Sequence, residues 1–180
     1  ITGQPEGMPG DEPMKSGIAI SDILTGMYSV TAILAALEHR NISGAGQYID
    51  MSLMDSIVTI NSYQAINYFL SGNVPTRMGN AHSNMVPYQV FRCKEGEIIL
   101  AVGNDSQFKA YCQVIGHGEL AGNPKFSTAA QRNRNRQELI PILTEVMLVK
   151  TMQEWVDLLE ANNVPCGPIY NMQQVFEDPH

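Results

Sequence analysis

An aspartate stands near the start of a mostly apolar stretch, where a carboxylate could do chemistry. Residues 16–40 read SGIAISDILTGMYSVTAILAALEHR, and Asp22 lies a helical turn before Thr25 and Gly26. Aspartate is favoured at a helix N-terminus, where its side chain accepts a backbone hydrogen bond. An acid among apolar neighbours can instead have a raised pKa or act as a nucleophile. The residues alone leave both interpretations of Asp22 open.

Other common catalytic and binding motifs are absent from the sequence. It contains no GxGxxG, P-loop or GxSxG pattern, which argues against a typical nucleotide site and a serine hydrolase. The four histidines lack the HxxxH and HExxH spacings, so no metal site is predicted. The three cysteines are far apart and form no CxxC, which is typical of a reducing compartment and predicts a cytoplasmic protein.

Composition and charge limit the classes of partner that the chain is expected to bind. A net charge of -7 argues against a nucleic-acid partner, which needs a basic face. Arg132, Arg134 and Arg136 do cluster, but they alternate with asparagine, which predicts a solvated helix face. The longest unbroken apolar run, residues 32–37, is too short to span a bilayer, so no membrane contact is predicted.

The pattern of apolar residues predicts a mixed α/β chain. The first segment contains a helix from Asp22 to about residue 40 with one buried face, a short strand QYIDMS, and a single second helix that Ser52 caps. Glycine and proline then predict a loop over residues 73–87. We therefore assign residues 1–72 to one domain and residues 73–180 to a second domain.

The second domain is predicted to hold a β-hairpin followed by helices. YQVFRC and IILAVG are two β-branched, apolar runs joined by a turn at Gly96. Asn104 or Asp105 begins a helix, and residues 117–126 form a loop. Pro141 is expected to kink or divide a helical region over 127–149, and Thr151 with Glu154 forms a capping box for the next helix.

Several spaced segments together resemble the class III CoA-transferases, which include formyl-CoA and carnitine CoA-transferases. The resemblance is carried by GIAISDILTGMYSVTAILAALEHRNISGAGQYIDMSLMDSIV and by GNAHSNMVPYQVF, AVGNDSQF and NNVPCGPIYNMQQVFEDP, in the family's order. It implies that residues 1–72 are a remnant of a nucleotide-fold large domain. It also implies that residues 73–180 are a small α+β domain with a short antiparallel sheet.

The resemblance implies that Asp22 is the reactive carboxylate of a CoA-transferase. It would attack an acyl-CoA thioester, form an acyl-aspartyl anhydride, and pass CoA to an acceptor acid through an aspartyl-CoA thioester. CoA thioesters are then substrates, with no permanently bound cofactor. Family members are dimers, so a homodimer is expected. Much of the family's large domain is missing here, so the 180-residue chain alone is expected to be inactive.

The family's substrate loop, a run of glycines in formyl-CoA transferases, matches His82, Ser83 and Asn84 here. Those side chains cannot approach a small acyl group as glycine does, which argues against formyl or oxalyl substrates. A structural role for His82 is favoured over that of a base.

Two alternatives to the transferase follow from the same residues. The α-methylacyl-CoA racemases share the fold and carry an acid where Asp105 stands. Asp105 is interpreted here as a helix cap, and SDILTGMY favours the transferase. The other alternative is a non-catalytic, self-associating domain in which Asp22 only caps a helix.

Overall fold

The computed structural model describes residues 2–179 and divides into two compact units, Ile1–Gly79 and Asn80–His180. The described residues form nine helices and one three-stranded sheet, which confirms the mixed α/β class and the short antiparallel sheet. The assignment of residues 1–72 to a large-domain remnant stays a prediction. In chain order the elements are α1 (Ile20–Ser43), α2 (Leu53–Thr59), α3 (Ser62–Ser71), β1 (Tyr88–Arg92), β2 (Glu97–Ala101), α4 (Asp105–Val114), α5 (Gly118–Gly122), α6 (Ala129–Arg134), α7 (Arg136–Met147), α8 (Met152–Glu160), β3 (Cys166–Pro168) and α9 (Met172–Glu177).

Helix α1 dominates the first unit, and it begins two residues before Asp22. It ends at Gly44, which takes the left-handed conformation and donates its N–H to the carbonyl of Arg40. The expected buried face is not present, because no α1 residue is buried within the described chain. Met27 and Leu34, for example, are 63% and 61% exposed.

The length and composition of α1 also meet the criteria for a membrane span. Its 24 residues include a window of mean hydropathy 1.6, none of it buried. Helices that pack inside soluble proteins meet the same criteria, so this is weak evidence. The homodimer and the absence of membrane contact stay predictions.

The single second helix predicted after residue 52 is two helices. Ser52 does cap α2, since its hydroxyl accepts from the N–H of Asp55 at 3.2 Å. The helix then ends at Thr59, and α3 begins at Ser62, whose φ of 21° interrupts the helical path. The predicted strand QYIDMS is also wrong. A strand needs a partner for its backbone groups, and no other strand occurs among the described residues of the first unit.

The predicted hairpin is confirmed in the second unit. Strands β1 and β2 pair antiparallel with Val90 opposite Ile99, and Gly96 in the turn has φ 79°. A third strand, β3, which the sequence analysis did not predict, pairs antiparallel with β2. Burial alternates along β2, where Ile98 and Leu100 are both 0% exposed. This face of the sheet forms one wall of the core.

The helices of the second unit cover that wall. Trp155 of α8 is buried and donates its indole N–H to the carbonyl of Met147 at 2.8 Å. The predicted capping box of α8 is present, with Thr151 and Glu154 bonded in both directions. A short helix, α5, lies within the predicted loop 117–126.

The three arginines are not a solvated face. Arg132 is 1% exposed and pairs with Asp105 at 2.9 Å. Its Nε donates to the carbonyl of Val86 at 2.8 Å, and its Nη1 donates to that of Phe126 at 3.1 Å. The guanidinium also lies 4.4 Å from the ring centroid of Phe108. Only Arg134 is exposed.

Two details of this region correct the sequence interpretation. Asn104 caps α4 through its side chain, whereas Asp105 is the partner of the buried Arg132. The helical stretch breaks at Asn135, whose amide bonds the carbonyls of Lys125 and Gln131, and Pro141 lies inside α7. Pro141 has no backbone N–H, so α7 lacks one hydrogen bond there. The helix continues through it because Leu139 and Leu143 on either side are fully buried in the core.

The burial of Arg132 predicts its effect on stability. We expect Arg132→Met to lower the free energy of unfolding by about 2–4 kcal/mol, because it leaves buried carbonyls without a donor and Asp105 without its partner. Urea denaturation at pH 7 measures this. Arg134→Met, on the exposed neighbour, should stay within about 0.5 kcal/mol of the wild type. Equal effects of both variants would contradict the account.

Candidate active site

Asp22 occupies the first turn of α1 but does not cap the helix. The N-cap position is Ala19, which makes no side-chain capping bond. Asp22 is exposed, and within residues 2–179 its carboxylate accepts a single, long 3.3 Å bond, from the hydroxyl of Ser21 to Oδ2. The helix-capping interpretation of Asp22 is therefore wrong, because the chain enters the helix two residues before it.

Asp22 is one of the residues that line a cleft of about 450 Å³. The walls come from the N-terminal segment, the start of α1, and the end of α2 with the residues that follow it. They include Lys15, Ile18, Ile57 and Ile60. A cleft of this size can hold part of a ligand beside the carboxylate.

The electrostatics of this cleft favour an anion. The N-terminus of α1 carries a partial positive charge, because the peptide dipoles of the helix align along its axis. Lys15 adds a full positive charge to the same cleft. These groups can stabilise negative charge that develops beside Asp22.

Within residues 2–179, Thr25 and Gly26 make no hydrogen bond to the Asp22 carboxylate. Thr25 donates its hydroxyl to the carbonyl of Ser21 at 2.7 Å, within the helix. A Cβ added at Gly26 would meet no atom within 4 Å in the described structure. Neither residue therefore shows a contact that would position the side chain of Asp22.

The second candidate region is the loop of His82, Ser83 and Asn84, which lies in the other unit. The N–H of His82 donates to the carbonyl of Tyr88 at 2.9 Å, and its ring stacks on that of Tyr88 at 5.1 Å. The Nδ1 of His82 accepts from the N–H groups of Asn84 and Met85, at 3.0 and 3.2 Å. Since Nδ1 accepts, this geometry assigns the proton of the neutral ring to Nε2. The histidine thereby organises its own loop.

Arg136, at the start of α7, holds the same loop from the other side. Its Nη2 donates to the carbonyls of His82 and Ser83 at 3.1 and 2.9 Å, and it also bonds the Oδ1 of Asn133. Sequence reasoning missed this contact, because the alternation of arginine and asparagine was interpreted as a solvated face. The sequence did contain a signal for this contact. Asparagine favours helix caps and turns, and Asn135 is the residue at which α6 ends and α7 begins, which determines where Arg136 lies.

The environment of His82 favours the neutral form of its imidazole. Partial burial, and then the positive charge of Arg136, lower the pKa of His82 from its ordinary value of 6.5. The two N–H groups that face Nδ1 further oppose protonation there. His82 is therefore neutral at pH 7.

No metal site is visible in the part of the chain that the structure describes. Residues 2–179 contain no group of three or more His, Cys, Asp or Glu side chains placed to hold an ion. Cys112 is buried, and burial raises the pKa of its thiol to about 12, so it is not a reactive thiolate.

The sequence matches the family model for CoA-transferase family III over residues 1–180. The chain belongs to CoA-transferase family III. The resemblance described from its motifs is thus confirmed. The assignments of Asp22 and of the His82–Asn84 loop within this family stay predictions.

Individual family III proteins are similar over nearly the whole chain. Succinate–glutarate CoA-transferase of Agrobacterium fabrum is 42% identical over 179 residues, covering 99% of this chain and 44% of that protein. Succinyl-CoA:glutarate CoA-transferase of Homo sapiens is 39% identical over 179 residues, covering 99% of this chain and 40% of that protein. The chain therefore spans less than half the length of these relatives.

A solved crystal structure has the same fold. The crystal structure of a CaiB/BaiF family protein from Brucella suis superposes with a TM-score of 0.76 at 42% identity. The match covers 99% of this chain and 46% of that one.

The contact between Arg136 and the loop predicts a shift in the titration of His82. We expect Arg136→Gln to raise the pKa of His82, since it removes a positive charge that opposes protonation. The pKa should stay below 6.5, because the larger cause, burial, remains. A pH titration of the imidazole resonances by NMR measures this. Arg134→Gln should leave the midpoint unchanged, and an unchanged midpoint in Arg136→Gln would refute the contact.

Proposed function

We propose that the protein transfers CoA between carboxylic acids, with Asp22 as the nucleophile. The observation that carries this proposal is the position of Asp22. Asp22 is exposed in the first turn of α1, does not cap the helix, and lines a cleft. Family III membership supports CoA transfer as the chemistry. The similar proteins named for succinate and glutarate support dicarboxylic acids as the substrate class.

The first half of the proposed reaction consumes the donor thioester. A carboxylate oxygen of Asp22 attacks the carbonyl carbon of succinyl-CoA, and the C–S bond breaks to release CoA thiolate. This gives a succinyl-aspartyl anhydride. The thiolate then attacks the aspartyl carbonyl, and succinate leaves with the oxygen that Asp22 had supplied. The enzyme is left as an aspartyl-CoA thioester, so the energy of the thioester is kept.

The second half repeats these steps in reverse with the acceptor. A carboxylate oxygen of glutarate attacks the aspartyl carbonyl and displaces CoA thiolate, which gives a glutaryl-aspartyl anhydride. The thiolate attacks the glutaryl carbonyl and forms glutaryl-CoA. The carboxylate of Asp22 is regenerated with one oxygen from glutarate. Charge and atoms balance in each half, and no proton is transferred.

The groups around Asp22 support this chemistry. Each attack places negative charge on a tetrahedral carbon, where the first-turn N–H groups of α1 and Lys15 can stabilise it. Ile18, Ile57 and Ile60 give the cleft beside Asp22 an apolar lining.

The loop of His82, Ser83 and Asn84 supports acids larger than formate. In this structure the loop is fixed by the His82 ring, Tyr88 and Arg136. It is not a freely moving glycine run, so it suits a substrate that fills more space. Its role as the substrate loop is part of this proposal.

Replacing Asp22 tests the proposal directly. We expect Asp22→Asn to reduce the transfer of CoA from succinyl-CoA to glutarate by roughly 10^4-fold or more, since the nucleophile is lost. Chromatography of glutaryl-CoA formed by the full-length protein measures it. Asp55→Asn is the matched control, because Asp55 is also an exposed first-turn aspartate of the same unit. Similar losses in both variants would contradict the assignment of Asp22.

The alternatives give other results in deuterated water. A racemase would exchange hydrogen at the acyl α-carbon for deuterium without moving CoA between acids. A non-catalytic domain would give neither deuterium incorporation nor transfer. We expect transfer without α-deuteration, measured by mass spectrometry of the acyl-CoA pool.

A further inference from the structure

The segment of residues 82–85 is closed on itself by the side chain of its first residue. The Nδ1 of His82 accepts from the N–H groups of Asn84 and Met85, at 3.0 and 3.2 Å. Asparagine, serine and threonine close turns in the same way, by accepting from backbone N–H groups a few residues further on. Histidine differs from these residues because its imidazolium carries a proton on both nitrogens and accepts no hydrogen bond. The closure of this segment therefore depends on a group that titrates.

The two ends of the segment are held by contacts that do not depend on the imidazole. At the first end, the backbone N–H of His82 donates to the carbonyl of Tyr88 at 2.9 Å. Beyond the other end, the Nε of Arg132 donates to the carbonyl of Val86 at 2.8 Å. Backbone groups and a guanidinium keep these bonds in weak acid. A change in the charge of His82 is therefore confined to the residues between these two points.

The titratable neighbours of His82 come from two elements of the second unit. Tyr88 of β1 stacks on the imidazole, with ring centroids 5.1 Å apart. Arg136 of α7 places its guanidinium beside the segment, where Nη2 donates to the carbonyls of His82 and Ser83. Partial burial, and then the charge of Arg136, lower the pKa of His82. A proton on Nδ1 would face two N–H groups and add a second positive charge near Arg136, so the charged ring and the closed segment oppose each other.

We propose that residues 82–85 form an acid-sensitive switch, closed while His82 is neutral and released from its own ring when His82 takes up a proton. Because the folded state lowers the pKa of His82, the closed form is fully stable above pH 6.5 and is lost as the pH falls through the lowered value. Every contact that the switch uses lies within the second unit, Asn80–His180. The inference goes beyond the proposed function, and its test needs no turnover.

Hydrogen exchange at the amides of Asn84 and Met85 measures the state of the switch. The full-length protein is followed from about pH 7.5 to about pH 4.5, a range that brackets the titration of histidine, and rates are corrected for the intrinsic pH dependence of exchange. We expect protection of these two amides to fall by roughly 10- to 100-fold, which is what two hydrogen bonds contribute. The midpoint should coincide with the NMR titration of the His82 imidazole. The amides of β2 serve as the internal reference and should keep their protection.

Three variants separate the titration of His82 from a general effect of acid. His82→Asn keeps an acceptor that does not titrate, so the two amides should stay protected at low pH. His82→Phe keeps a ring to stack on Tyr88 but has no acceptor, so protection should already be low at pH 7. Arg136→Gln should move the midpoint to higher pH, whereas the exposed Arg134→Gln should not.

Two results would overturn the switch. One is a loss of protection in His82→Asn with the same midpoint as in the wild type, since acid would then act elsewhere. The other is full protection in the wild type after His82 has titrated, since the charged ring would then be compatible with the closed segment. Both results come from the wild type and His82→Asn, so the test stands even where His82→Phe does not fold.

Discussion

The second unit depends on how one buried cation is neutralised. Arg132 is almost fully buried, so every donor it carries needs a partner, and it finds them on three separate segments: Asp105, Val86 and Phe126. Those bonds fasten the start of α4 and the chain just before β1 to helix α6. Four residues later, Arg136 bonds the carbonyls of His82 and Ser83. The position of the candidate substrate loop is therefore a consequence of the two arginines, and the chemistry proposed for that loop depends on it.

The two units differ in how far they bury their apolar side chains. In the second unit the sheet and helices bury Trp155, Ile98 and Leu100 together. In the first unit α1 leaves its apolar side chains exposed, and Ser56 is the only buried residue among those described there. The exposed carboxylate of Asp22 lies on this less buried unit, beside the cleft that its helix start helps to form. A nucleophile needs such access, and a helix start supplies positive potential without burying the acid.

Much of this architecture follows from the sequence, and the failures have physical causes. The hairpin, the Thr151–Glu154 capping box and the Ser52 cap are local patterns, and all three are present. The strand QYIDMS failed because strand formation depends on a distant partner. Arg132 was misread because its burial depends on Asp105 and Phe108, which lie more than twenty residues away. Asp22 was chosen as a candidate from its position near a helix start, but its lack of a capping role depends on the helix beginning at Ile20.

The central claim is that the carboxylate of Asp22 becomes covalently linked to both acyl groups. Turnover of the full-length protein with succinyl-CoA and ¹⁸O-labelled glutarate tests it most directly, because the mechanism requires Asp22 to gain one oxygen from glutarate. The account predicts ¹⁸O in the proteolytic peptide that contains Asp22, and afterwards in released succinate. Glutaryl-CoA formed with no ¹⁸O in that peptide would contradict it, since CoA would then move without an aspartyl anhydride.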